Sequence, residues 1–172
     1  MKKITILTAF LMIASTSIAG SSNANRFKLY VGFINHFTKF IQWSDDKRTG
    51  DFVIGVYGDS PIFDEMQAML AGKSVGEQKI NIKKIDSEAA AGSCHIVFVP
   101  ENQMKVLGAL NTKAKTSKFL IVTDSDGAAK KGADINFVEE GGSIKFEMNP
   151  KNAADHGLKV SGKLKELAKI ID

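Results

Sequence analysis

Between Arg26 and Trp43 apolar side chains recur at helical spacing. At about 100° per residue, Phe27, Leu29, Tyr30, Val31, Phe33, Ile34, Phe37, Phe40 and Ile41 occupy roughly half the circumference. Lys28, Asn35, His36, Lys39 and Gln42 fill the other half. The segment is predicted as a helix. A surface helix needs an apolar stripe of only about 100°, so this one is expected to be covered on more than one side. Four extended segments follow. FVIGVY (Phe52 to Tyr57), HIVFVP (His95 to Pro100) and FLIVT (Phe119 to Thr123) are continuous apolar runs, as in strands buried on both faces of a parallel sheet. INIKKI (Ile80 to Ile85) alternates and reads as an edge strand.

Helical stretches separate these strands. Ser60 to Ala71 places Ser60 at the N-cap and Pro61 at the first helical position, with Asp64 and Glu65 in the first turns. Glu101 to Leu110 begins after Pro100. The pattern then changes. Ile135 to Val138 and Ile144 to Met148 flank Glu139-Glu140-Gly141-Gly142, a hairpin turn. Leu164, Leu167, Ala168 and Ile171 then stand at i, i+3, i+4, i+7, the spacing of a closing helix. The alternation of strand and helix argues for a three-layer α/β fold, with a mostly parallel, doubly wound sheet and helices on both faces. The expected order of the four strands is 2-1-3-4, with the C-terminal hairpin extending one edge.

The first residues stand apart from this pattern. Lys2-Lys3, an apolar run from Ile4 to Ala14 and Ser17-Ile18-Ala19 have the form of a secretory signal. Residues 1–19 are expected to be removed, with Ser22-Asn23-Ala24 a second cleavage site ending at 24. Residues 26–172 are expected to form one exported, periplasmic domain. Losing Lys2 and Lys3 leaves 21 basic against 19 acidic residues. That near balance is no footprint of nucleic-acid binding. Lys83-Lys84 and Lys130-Lys131 read as solvated faces. The single Cys94 cannot form an internal disulfide, so the core alone must hold the domain.

Candidate chemistry is sparse. Gly58-Asp59-Ser60, at the end of the first strand, is where GDSL-type hydrolases place a nucleophile. Their Asp-x-x-His partner is missing, because Asp155 and His156 are adjacent. The simpler reading is that Gly58 permits the turn and Ser60 caps the helix. Cys94 and His95 are neighbours on a strand and face opposite ways, so Cys94 reads as a small buried residue. His36, His95 and His156 lack zinc-ligand spacing, and no metal or cofactor is expected. The first βα turn remains open as a small-ligand site, since open α/β sheets bind there.

Three blocks, in order, carry a resemblance. They are FTKFIQW (Phe37 to Trp43), FVIGVYGDSPIF (Phe52 to Phe63), and INFVEEGGSIKFEMN with AADHGLKVSGKLKELAKI (Ile135 to Ile170). With GSCHIVFV and FLIVTD between them, they resemble the YfiR family of secreted bacterial proteins over about Lys28 to Ile170. The resemblance implies a three-layer α/β domain that can dimerise and that has no catalytic residues. It implies a periplasmic inhibitor that binds the periplasmic part of an inner-membrane diguanylate cyclase and keeps cyclic-di-GMP low. An outer-membrane lipoprotein relieves that inhibitor by sequestration, and some relatives are fused to signalling proteins as sensor domains. The well-known regulator uses disulfides. Cys94 stands alone here, so redox control through an intramolecular bond does not carry over.

Three readings follow. The first is a non-enzymatic periplasmic regulator that binds a membrane signalling protein, a diguanylate cyclase or the periplasmic domain of a sensor kinase, with a homodimer compatible with that role. The second is a small-ligand-binding sensor module. The third is a secreted GDSL-type esterase. For the first, Phe40 and Trp43 are the expected anchors of a partner surface, because they lie toward the edge of the apolar arc and Trp is enriched in binding hot spots. Glu147, Asn149 and His156 are its expected polar groups. For Glu147 and Asn149 the competing reading is that they close the hairpin and cap the last turns.

Overall fold

The continuous apolar runs fold as the strands their pattern predicts. The computed structural model describes residues 19–172, with side chains from residue 25 onward. The n-region, the apolar run and most of the first cleavage motif lie outside the described residues. The elements in chain order are α1 (Ala19–Phe40), β1 (Ile41–Gln42), β2 (Phe52–Tyr57), α2 (Ile62–Leu70), β3 (Ser74–Val75) and β4 (Gln78–Ile85). Next come α3 (Glu88–Ala91), β5 (Ile96–Val99), α4 (Leu107–Ser117), β6 (Leu120–Thr123), β7 (Ile135–Glu140) and β8 (Ser143–Met148). The chain closes with α5 (Pro150–Asp155), β9 (Lys159–Val160), α6 (Gly162–Leu167) and β10 (Lys169–Ile170).

The main sheet runs β10-β8-β7-β6-β5-β2-β4-β3. The strands β2, β4, β5 and β6 thus stand in the expected 2-1-3-4 order, and the hairpin extends the β6 edge. β2 pairs in parallel with β4 and β5, β5 with β6, and β6 with β7, whereas β7 and β8 are antiparallel. The hairpin loop is Gly141-Gly142, both at positive φ (59° and 73°), the type I′ geometry that suits strand twist and that glycine adopts without strain. β4 alternates buried and exposed positions along the edge. Its exposed Lys79, Lys83 and Lys84 discourage pairing with a foreign strand.

Alternation along each strand builds two cores. Phe52, Ile54 and Val56 of β2, with Ile96 and Phe98 of β5 and Leu120 and Val122 of β6, face α1 and α2. Val53, Tyr57, Val97, Val99 and Ile121 face the other way, onto Ala91, Leu107, Leu110 and Ala114 of α3 and α4. This is a three-layer arrangement. The breadth of the α1 arc has a direct cause: α1 packs on the sheet and on α2 at once. Tyr30 stacks on Phe137 at 4.1 Å, and Phe37 meets Phe146 edge-on at 5.2 Å. Each fully buried side chain of this size contributes about 1.5–3 kcal/mol by leaving water.

Four expectations about elements are corrected. The first helix ends at Phe40, not Trp43, because Ile41-Gln42-Trp43 switches to an in-out-in pattern and pairs with β9. Ser60 does not cap α2 with its side chain. The helix starts at Ile62, and the Ser60 carbonyl accepts the Phe63 N–H at 3.1 Å. The segment after Pro100 opens as a 3₁₀ turn (Glu101–Val106), and α4 follows it. The closing helix stops at Leu167. Beyond it the chain turns extended, because the open β8 edge offers backbone partners to Lys169, Ile170 and Ile171. Leu167 is left 70% exposed.

Candidate functional site

β1 and β9 form a two-stranded antiparallel strap in the register Ile41↔Val160 and Gln42↔Lys159. The Ser161 N–H closes it on the Phe40 carbonyl at 2.9 Å. Two blocks far apart in the chain, FTKFIQW and HGLKVSGKL, are therefore joined side by side. Three clefts surround the strap. One of about 430 Å³ is lined by Trp43, Asp45, Asp46, Arg48, Lys118 and Lys159, among others. One of about 310 Å³ runs along Lys39, Phe40 and Val160. One of about 270 Å³ lies between Trp43, Arg48, Phe52, Gln78 and His95. Phe52 opens β2, His95 precedes β5 and Lys118 precedes β6. The clefts thus gather at the amino ends of the parallel strands, opposite the first βα turn that the sequence singled out. At that turn Asp59 pairs with Lys84 at 2.7 Å, and the Gly58 N–H is taken by the Ile85 carbonyl.

Lys118 stands out at the largest of these clefts. It ends α4 in the left-handed conformation (φ 54°), where glycine is usual. Among the described residues it is the only non-glycine with positive φ, which costs roughly 1–2 kcal/mol. Its stem runs close to Gly157, where an added Cβ would lie 3.4 Å from Lys118 Cγ, and its ammonium reaches Asp46 at 3.2 Å. Arg48 likewise pairs with Asp45 at 3.3 Å, so the cleft rim carries ion pairs, with Lys159 beside them.

Trp43 and His95 lie beneath the clefts. Trp43 is 7% exposed, edge-on to Phe52 at 4.9 Å, with its indole N–H on the His95 carbonyl at 3.1 Å. Trp43 is thus a core residue of this chain, not an exposed anchor. Phe40 is half-buried, stacks on His36 and borders the second cleft. Lys47 reaches in to donate to the carbonyls of Gly92 (2.9 Å) and Cys94 (2.8 Å). Burial pushes its ammonium below the usual lysine range.

Cys94 faces the second core, opposite the His95 ring, and is fully buried and unpaired. Burial pushes its thiol up, only partly offset by Ser93 and Lys47. A bulky thiol reagent should therefore label it slowly in native buffer and fast in denaturant. Rapid native labelling would contradict this burial.

The expected polar surface of Glu147, Asn149 and His156 is instead mostly interior. Asn149 is the N-cap of α5, its side chain accepting the Asn152 N–H at 3.0 Å and donating to the Ala129 carbonyl. His156 is fully buried, and its Nδ1 lies 2.9 Å from the Asp134 carboxylate, which is also fully buried. Burial pushes the Asp134 carboxyl up, and the His156 contact pulls it back. Glu147 belongs to a polar row that crosses four strands in register, Thr123-Asn136-Glu147-Lys169. Thr123 bonds Asn136 at 2.8 Å, Asn136 bonds Glu147 at 3.3 Å, and Lys169 lies 3.6 Å from Glu147.

The esterase reading lacks a free base at Ser60. Among the described residues no histidine hydrogen-bonds Ser60; His156 is fully buried, and both ring nitrogens of His95 are engaged by backbone groups. Among the described residues no three His, Cys, Asp or Glu are placed to hold a metal ion.

Comparison with known proteins agrees with this architecture. A crystal structure of a conserved domain protein from Vibrio cholerae O1 biovar El Tor superposes with a TM-score of 0.61 at 10% identity. The match covers 85% of this chain and 60% of that one, and it speaks for the fold alone. No curated protein matches the chain. The YfiR/HmsC-like family matches residues 27–169, from the aromatic helix to the strand that closes the sheet, and the chain belongs to that family.

Proposed function

We propose that the chain is an exported periplasmic regulator that binds the periplasmic part of a membrane signalling protein, such as a diguanylate cyclase or a sensor kinase, and acts by contact and not by turnover. The family match over residues 27–169 carries this reading, because the family is regulatory and not catalytic. Among the described residues no helix is long and apolar enough to cross a membrane. The β1–β9 strap supports a contact surface: it joins the two blocks by which the family is recognised and leaves Phe40, Gln42 and Lys159 at its rim.

The test uses a strain that lacks the gene. Cyclic-di-GMP should rise on deletion and fall when the full chain is resupplied, but not when residues 1–19 are omitted. Crosslinking from the periplasm should capture a membrane signalling protein, and Phe40→Ala with Lys159→Glu should weaken that capture. Unchanged cyclic-di-GMP together with no crosslinked signalling protein would overturn the proposal.

A second reading is favoured by the cleft itself. A volume of about 430 Å³, lined by the Arg48–Asp45 and Lys118–Asp46 pairs and by Lys159, suits a small polar ligand that exchanges partners with those pairs. A ligand that raises the melting temperature of the wild type, and not of Lys118→Ala, would support the sensor-module reading. A panel of small polar ligands with no effect would remove it.

A further inference from the structure

His95 fastens three segments to the amino end of the sheet. Its backbone N–H donates to the Val53 carbonyl at 2.8 Å. Its carbonyl accepts the Leu120 N–H at 2.8 Å and the Trp43 indole at 3.1 Å. On the ring, Nδ1 accepts the Val53 N–H at 3.0 Å, and Nε2 donates to the Lys47 carbonyl at 2.6 Å. A backbone N–H can only donate and a carbonyl can only accept. The two ring contacts therefore specify one neutral tautomer, with the proton on Nε2. Adding a proton at Nδ1 would turn its bond to Val53 into a collision of two donors.

Only the Lys47 carbonyl, 2.6 Å from Nε2, favours the charged ring, and burial outweighs it. The ring is buried and stacked on Phe52 at 4.3 Å. The ammonium of Lys47 lies on the turn that the ring holds, and Arg48 lines the cavity that the ring borders. The other lining residues are Thr38, Ile41, Gln42, Trp43, Phe52, Val75, Gly76 and Gln78, with no carboxylate among them. Asp46, on the same turn, is tied to Lys118.

We propose that His95 is a proton-operated latch: a proton at Nδ1 sets two donors against each other at Val53, the ring swings out of its seat, Nε2 thereby lets go of the Lys47 carbonyl, and the Asp45–Lys47 turn lifts from the sheet so that the wall of the cleft opens. The sign follows from linkage. Burial, with Lys47 nearby, holds the latched ring below the ordinary histidine value of 6.5. Above pH 6.5 neither state takes the proton and the latched state keeps its full advantage. Below it the released state binds a proton that the latched state does not. The ratio of latched to released protein then falls by up to about tenfold per pH unit, until the latched ring itself titrates. The latch rests on these bonds and holds under either functional reading.

Trp43 is the chain's only tryptophan, so its emission reports this site directly. In the full chain as exported, emission should change reversibly as pH falls below 6.5 while far-UV circular dichroism stays constant. The His95 ring, followed by NMR, should titrate below 6.5 in the folded protein. His95→Gln should hold emission flat over the same range. A ring that titrates at or above 6.5, emission that moves only when the circular dichroism collapses, or a transition that persists in His95→Gln would each overturn the latch. Should His95→Gln fail to fold, the wild-type ring titration and emission decide the matter.

Discussion

Asp134→Ala should cost about 2–6 kcal/mol of stability, because it leaves two buried groups, the Ile121 N–H and the His156 ring nitrogen, without their partner at about 1–3 kcal/mol each. Both Asp134 and His156 are fully buried. The carboxylate accepts the Ile121 N–H at 2.6 Å and lies 2.9 Å from His156 Nδ1. The same residue's carbonyl accepts the Asn149 N–H at 2.9 Å, so one position ties β6, the end of β8 and the α5 turn together. Alanine keeps the backbone bonds and deletes the carboxylate, leaving a buried N–H and a buried imidazole nitrogen without acceptors. Against a total stability of about 5–15 kcal/mol, that loss leaves little margin. Asp134→Asn keeps an acceptor of the same shape and should cost less, about 1–3 kcal/mol. Urea denaturation followed by circular dichroism separates the two. If Asp134→Ala and Asp134→Asn cost the same, the carboxylate is not what holds His156. If the two differ as expected, a double-mutant cycle of Asp134→Ala with His156→Ala should show strong coupling, because the two side chains meet in the core.

How much of this was readable without coordinates divides along a physical line. Strands whose apolar run is set by burial on both faces were legible: Phe52–Tyr57 is a strand at those very bounds, and the 2-1-3-4 order follows from crossover geometry. Elements decided by a distant partner were not. Ile41 continues the helical arc on a wheel, yet it and Gln42 form a strand because Val160 and Lys159 lie opposite. Leu164, Leu167, Ala168 and Ile171 fit a helix, yet the open edge of β8 and the carboxylates of Glu140 and Glu147 draw Lys169 and the following residues into the sheet. An alternating in-out-in triplet after a helix was the one local sign of β1. The clefts were invisible for the same reason. Trp43, Lys118 and Lys159 meet there from three separate segments, and no spacing within any one of them marks the meeting. His156 and Asn149 looked like surface groups because polar residues usually are. Their partners, Asp134 and Ala129, lie in a different element.

Trp43→Ala should cost about 3–5 kcal/mol, the range for truncating a buried aromatic side chain. The indole is 7% exposed, rests edge-on against Phe52 and donates to the His95 carbonyl. Trp43→Phe keeps most of the packing and loses the hydrogen bond, so about 1 kcal/mol is expected. Phe40→Ala should cost less stability than Trp43→Ala, because its ring is only partly buried. The same three variants separate fold from function. If partner contact runs along the strap, Phe40→Ala should weaken association while the melting temperature changes little. Trp43→Phe should leave association near wild type, since the strap and its rim survive. A Trp43→Ala variant that keeps its melting temperature but loses partner binding would reverse the assignment and make the indole itself the contact. The burial of Trp43 under the Asp45–Lys47 turn argues against that outcome unless the turn first lifts, and lifting it is what protonation of His95 is expected to do.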